Sequence, residues 1–187
     1  MKPLIIGTIS LAALSFGVPA MAQSTMNPSF YGSLGNSYLT PRYDGGIDEI
    51  TGRIGARMGQ MWGFNWGVEG EIGGGVSEYR RATAPGATYT TEPVAGAGYL
   101  VGYVPISPMP NLEFLARVGY GASSFHQSRN GVSSDGVTNS VNFGVGAQYW
   151  LTGADGLRAD YTRRDYLGSS RIPTGADVWS VSFVRKF

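Results

Sequence analysis

Along most of this chain, apolar and polar residues alternate with period two. In ITGRIGARM, Ile50, Gly52, Ile54, Ala56 and Met58 fall on one side, and Thr51, Arg53, Gly55 and Arg57 on the other. NWGVEGEIGGGV sets Trp66, Val68, Gly70, Ile72 and Val76 against Gly67, Glu69, Glu71 and Gly73. Further on, Leu112, Phe114, Ala116, Val118 and Tyr120 oppose Glu113, Arg117, Gly119 and Gly121, and Val141, Phe143, Val145, Ala147 and Tyr149 oppose Asn142, Gly144, Gly146 and Gln148. Three runs are less regular: Phe30 to Leu39, Leu157 to Tyr166, and Val94 to Val104, where Ala95, Ala97, Tyr99, Val101 and Tyr103 stand against a Gly-rich set. The closing VWSVSFVRKF places Trp179, Val181, Phe183 and Phe187 on one set and Ser180, Ser182 and Lys186 on the other. Successive side chains of a strand point to opposite faces, so these runs predict about eight strands, each with one apolar and one polar face. Helical periodicity is missing, and the fold is expected to be all-β.

The connections alternate as well. TPRYDGGIDE, EYRRATAPGATYTTEP, FHQSRNGVSSDG and GSSRIPTGA are long and polar; QMWGFN, PISPMPN and TGADG are shorter and rich in Gly, Pro, Asn or Asp. Long loops at one end and short turns at the other are the asymmetry of an antiparallel transmembrane β-barrel, with the short turns in the periplasm. A soluble sandwich or lipocalin-like barrel would also alternate. Its outward polar set, however, would be rich in charged and β-branched residues, whereas here that set is Gly, Ser, Thr, Asn and Gln with charges of both signs. Such a set suits a narrow lumen. With lipid outside, every backbone group must be paired, and ring closure achieves this without an edge.

The N-terminus sharpens the picture. Lys2 precedes the apolar run PLIIGTISLAALSFGVPA and the small-x-small tripeptide Ala20-Met21-Ala22, the order of a secretory signal peptide. Residues 1–22 are therefore expected to be a signal peptide, and residues 23–187 one barrel domain. Without Lys2, the 14 basic and 13 acidic residues come into balance, which gives no reason to expect a nucleic-acid partner. The chain has no cysteine, so disulfides are excluded as its staple. Aside from the leader, no segment offers the roughly 20 continuous apolar residues of a membrane helix.

On these residues the chain resembles the small eight-stranded outer-membrane β-barrels of the OmpA, OmpX and opacity-protein kind. The resemblance rests on SFYGSLGNSYL, WGVEGEIGGG, GLRADYTRRDY and the closing SVSFVRKF. It implies a bacterial outer-membrane location, contact with outer-membrane lipids and lipopolysaccharide, and a monomer. It also implies that Trp179, Val181, Phe183 and Phe187 serve as an assembly signal for the barrel-inserting machinery. Arg185 departs from the pattern, standing on the lipid-facing set where the family has an apolar or aromatic residue.

The strongest candidate chemistry is the charge on the lumen set: Arg53, Arg57, Glu69, Glu71, Glu113, Arg117, Arg158, Asp160, Arg164 and Lys186. An eight-stranded barrel is just wide enough inside for side chains to fill it, so balanced charges read as a salt-bridge plug and, alternatively, as an ion path. The lone His126 with Ser128 resembles the His-x-Ser of outer-membrane lipid A deacylases. That motif belongs on a late strand, whereas here it opens the third long connection, with Asp135 the only nearby acid; a solvated loop histidine is the expectation. No metal cluster, phosphate loop or cofactor site is read. Trp62, Phe64, Trp66, Tyr103, Trp150 and Phe187 are expected to form the periplasmic interface belt, while Tyr79, Arg80, Arg81 and Tyr89 are loop residues able to touch lipopolysaccharide or a partner. Three functions follow: a non-catalytic surface barrel that serves envelope integrity and contacts a host or extracellular ligand through its loops; a narrow channel for ions or small hydrophobic solutes; and a lipid A-modifying enzyme. The first is the reading adopted.

Overall fold

Alternation of this kind closes into a ring. The computed structural model describes residues 28–41, 46–61, 64–77, 79–83, 86–129, 132–167 and 175–187; the expected signal peptide lies outside them. Nine strands follow one another: β1 (Ser29–Pro41), β2 (Ile47–Met61), β3 (Phe64–Gly75), β4 (Tyr79–Thr83), β5 (Gly86–Ile106), β6 (Met109–Arg129), β7 (Val132–Trp150), β8 (Asp155–Leu167) and β9 (Gly175–Lys186). Eight of them form a closed antiparallel barrel in chain order, with β3 bonded to β5 and β9 to β1. The short β4 stands outside the ring, paired only to the upper part of β5. Closure pairs both sides of the final strand, Leu34 with Phe183 on one flank and Leu157 with Phe183 on the other.

The outward set is apolar through the height of the wall. Leu34, Ile54, Val68, Ile72, Val118, Phe143, Val145, Val181 and Phe183 are all exposed on it. The inward set buries Arg, Glu, Asp, Ser, Thr, Asn and Gln, the reverse of a soluble core. Gly144 illustrates how the lumen is sized. A Cβ there would lie 2.9 Å from the Arg117 side chain and from Thr162 Oγ1, so only glycine leaves space for the guanidinium. At Gly59 the backbone takes φ +133, and the β2–β3 register shifts between Arg57 and Gly59. This bulge turns the strand end into the short connection.

Two expectations are corrected. Much of the connections read as long loops is strand: EYRRATAPGATYTTEP contains β4 and the start of β5, and all but two residues of FHQSRNGVSSDG belong to β6 and β7. No apolar alternation marks these stretches, and backbone pairing identifies them as strand. β5 and β6 have 21 residues each and β7 has 19, against 12 for β9. The second correction concerns β5. Its apolar set Ala95, Tyr99, Val101 and Tyr103 is buried inside the barrel, and Val94, Leu100 and Val104 with Gly96 and Gly98 face outward. The tyrosines go in because their hydroxyls find partners there, Tyr99 with Glu71 and Tyr103 with Tyr31.

Candidate functional site

The lumen is built from side chains that alternate inward along β2, β3, β6, β8 and β9, and its middle layer is ionic. Glu69 accepts hydrogen bonds from Arg158 Nη1 and Nη2 at 2.5 and 3.2 Å and from Arg117 Nη1 at 2.9 Å. Arg117 reaches on to Glu71 at 3.0 Å and to Asp160 at 2.6 Å. Arg53 Nε donates to Glu71 at 2.7 Å, while its Nη2 donates to Ser180 at 2.9 Å and lies 3.5 Å from Asp160. Arg158 Nε closes the ring onto Asp160 at 3.3 Å. Each of these groups is shared, so no single pair accounts for the layer. Isolated buried charge is costly, and sharing every carboxylate between two or more guanidinium groups offsets that cost.

Two further layers flank it. Toward the extracellular end, Arg164 lies 3.4 Å from Glu49 and 3.6 Å from Glu71. Above this pair Leu39, Ile47, Ala176 and Val178 pack with Tyr166 into an apolar cap. At the periplasmic end Arg57 holds Glu113 with two bonds of 2.9 and 2.7 Å, and Trp150 Nε1 donates to the same carboxylate at 3.0 Å. The Arg57 guanidinium stacks 4.1 Å above the Tyr103 ring, and Lys186 Nζ lies 3.5 Å from the centre of the Trp150 ring. Tyr31, Tyr99, Val101, Tyr103, Leu115, Trp150 and Val184 form the apolar floor around them.

All ten charged residues read from the sequence point inward, and the geometry joins them to residues that reading missed. Glu49, placed earlier in a connection, is wholly buried on β2; its signal was present, since it continues the set of Thr51 and Arg53. Tyr103 and Trp150 are corrected from interface belt to lumen, at 0% and 6% exposure. Tyr31 donates to Glu69 at 2.7 Å and shares a 2.7 Å contact with the Tyr103 hydroxyl, and Tyr99 donates to Glu71 at 3.2 Å. Phe187 stands outward at 81% exposure, its backbone N–H donating to Phe30 O at 3.0 Å. Phe64 lies over the outer face, where a Cβ at Gly102 would meet its ring at 3.6 Å, and Trp66 is half-buried. Trp62 lies outside the described residues. Arg185 is exposed and sits 3.7 Å from Asp155 beside the last short turn.

His126 is also corrected. It is on strand β6, directly opposite Asp135 of β7, and its Nδ1 meets the Asp135 carboxylate. The side chains of Ser128, Tyr79, Arg80, Arg81 and Tyr89 lie outside the described residues, although their backbone belongs to β6, β4 and β5.

A family model described as outer membrane protein beta-barrel domain matches residues 8–187. A comparison with curated proteins gives no match. Among solved structures, Neisserial surface protein A superposes with a TM-score of 0.54 at 10% identity, over 86% of this chain and 97% of that one. The N-terminal β-barrel domain of Pseudomonas aeruginosa OprF gives 0.54 at 15% identity, over 87% and 98%. The attachment invasion locus protein Ail of Yersinia pestis, in complex with the heparin analogue sucrose octasulfate, gives 0.54 at 13% identity, over 86% and 97%. At these identities the likeness is one of fold.

Proposed function

The chain belongs to the family of outer membrane protein β-barrel domains and resides in the bacterial outer membrane, and from that premise we propose that it is a non-catalytic surface barrel with a charge-plugged lumen. The observation that carries this reading is the shared ionic layer of Arg53, Glu69, Glu71, Arg117, Arg158 and Asp160, held between an apolar cap and an apolar floor. Counter-charges this close leave no room for a hydrated ion to pass between them. The barrel then serves as a rigid wall element of the envelope, and its tall β4–β7 sheet is the part offered to an extracellular ligand. In planar bilayers the refolded protein is expected to stay electrically silent. Steady single-channel steps from the wild-type protein would instead establish the narrow-channel reading.

The outward set of β9, Trp179, Val181, Phe183 and Phe187, is proposed as the segment recognised by the assembly machinery. Recognition acts on an unpaired strand, where these residues form one apolar edge; in the finished wall, hydrogen bonds to β1 and β8 hold the same strand. Phe187→Ala is therefore expected to lower delivery to the outer membrane in cells while refolding from urea into detergent stays near normal. Parallel losses in both measurements would reduce Phe187 to a structural anchor.

A further inference from the structure

The outer wall of an eight-stranded barrel is strongly convex, so a concavity on it needs a local cause. One lies across β1, β2, β3, β5 and β6, with a volume of about 950 Å³. Its origin is a single row of paired residues. Gly32 is opposite Ile54, Ile54 opposite Gly70, Gly70 opposite Gly98, and Gly98 opposite Tyr120. Two adjacent outward glycines make the floor, Ile54 and Tyr120 make the sides, and Val68 and Leu100 border the floor below. The Phe187 ring closes the periplasmic end, lying 3.4 Å from where a Cβ on Gly32 would be.

The fold does not demand those floor glycines. A Cβ at Gly98 would meet nothing within 4 Å, and one at Gly70 would meet only Ile54 atoms at 4.0 Å. Glycine in a strand interior weakens the strand through backbone entropy and lost packing. Here that cost is carried at neighbouring positions with no steric reason inside the barrel, and the result is an apolar groove.

We propose that the groove seats an acyl chain of an inner-leaflet phospholipid. The volume falls at the upper end of the about 300–1,000 Å³ of small-molecule sites, and the outward side chains that line it are hydrocarbon or aromatic. Hydrocarbon is the medium at this depth, so the occupant arrives without desolvation. The groove runs from Phe187 at the periplasmic girdle to a row only four residues above Trp66 on β3. With about 2.3 Å of height per tilted residue, that row stands in the periplasmic half of the band, which selects the phospholipid leaflet rather than lipopolysaccharide.

The test uses full-length barrel refolded into phosphatidylethanolamine and phosphatidylglycerol vesicles, extracted in mild detergent and weighed intact by native mass spectrometry. The wild type is expected to carry a bound phospholipid. Gly70→Leu and Gly98→Leu, each filling the floor, lose that mass, whereas Ala147→Leu, outward on β7, keeps it. Heat-modifiable gel migration establishes that each variant is folded, and either glycine variant alone suffices. Equal retention in folded glycine variants, or a lipid-free wild type, would overturn the proposal. So would a wild-type dimer lost in the glycine variants, since the groove would then belong to a second copy.

Discussion

Glu69→Ala is expected to lower the stability of the barrel by about 3–5 kcal/mol, read from the urea midpoint of unfolding in detergent or vesicles. The side chain is fully buried and anchors Arg158 at 2.5 Å, Arg117 at 2.9 Å and the Tyr31 hydroxyl at 2.7 Å. Removing it leaves the Arg158 guanidinium, itself at 0% side-chain exposure, with Asp160 as its remaining ionic contact at 3.3 Å. Asp135→Ala is the control. It also deletes a carboxylate from an ion pair, with His126, but that carboxylate is 83% exposed, and a solvated pair contributes only about 0–1 kcal/mol. Glu69→Gln keeps the volume and the acceptor oxygen, and it should fall between the two. If both alanine variants proved equally mild, water would be screening the lumen charges, and the channel reading would gain accordingly.

The sequence made the barrel legible because lipid imposes a sharper pattern than water does. β2, β3, β6, β7 and β9 each separate an outward apolar set from an inward polar one, and the lumen charges of β2, β3, β6 and β9 could be read off directly. Tyr31, Tyr99, Tyr103 and Trp150 could not. An aromatic ring with a polar tip suits either an interface belt or a lumen that supplies a partner, and alternation alone does not distinguish these. What decides is Glu69, Glu71 and Glu113 on other strands, each accepting a bond from one of these rings. Hairpin extension was illegible for a different reason. Sequences such as ATYTT and SSDG carry no apolar period, and only strand pairing reveals that they belong to β5 and β7.

The inverted face of β5 leads to the second large effect. Gly96 faces outward on the outer wall near mid-height, opposite Ile72 and six residues above the level of Trp66, whereas its neighbour Ala95 is buried on the lumen side. An arginine on the lipid face costs about 2–4 kcal/mol at the bilayer midplane and about 0–1 kcal/mol near the interface. Gly96→Arg should therefore cost several times as much as Val104→Arg, which points outward from the same strand eight residues nearer the periplasmic turn. Unfolding both variants by urea in phospholipid vesicles measures the difference. The pattern in the sequence alone places Gly96 on the lumen side, where an arginine would join an already polar interior and depth in the membrane would not matter. Equal costs at the two positions would return Gly96 to the lumen and turn the whole strand over, since a shift of one residue exchanges every side chain of β5 between lipid and lumen. A steep dependence on depth leaves Tyr99 and Tyr103 inside, bonded to Glu71 and Tyr31, as the reason β5 carries glycine toward the membrane.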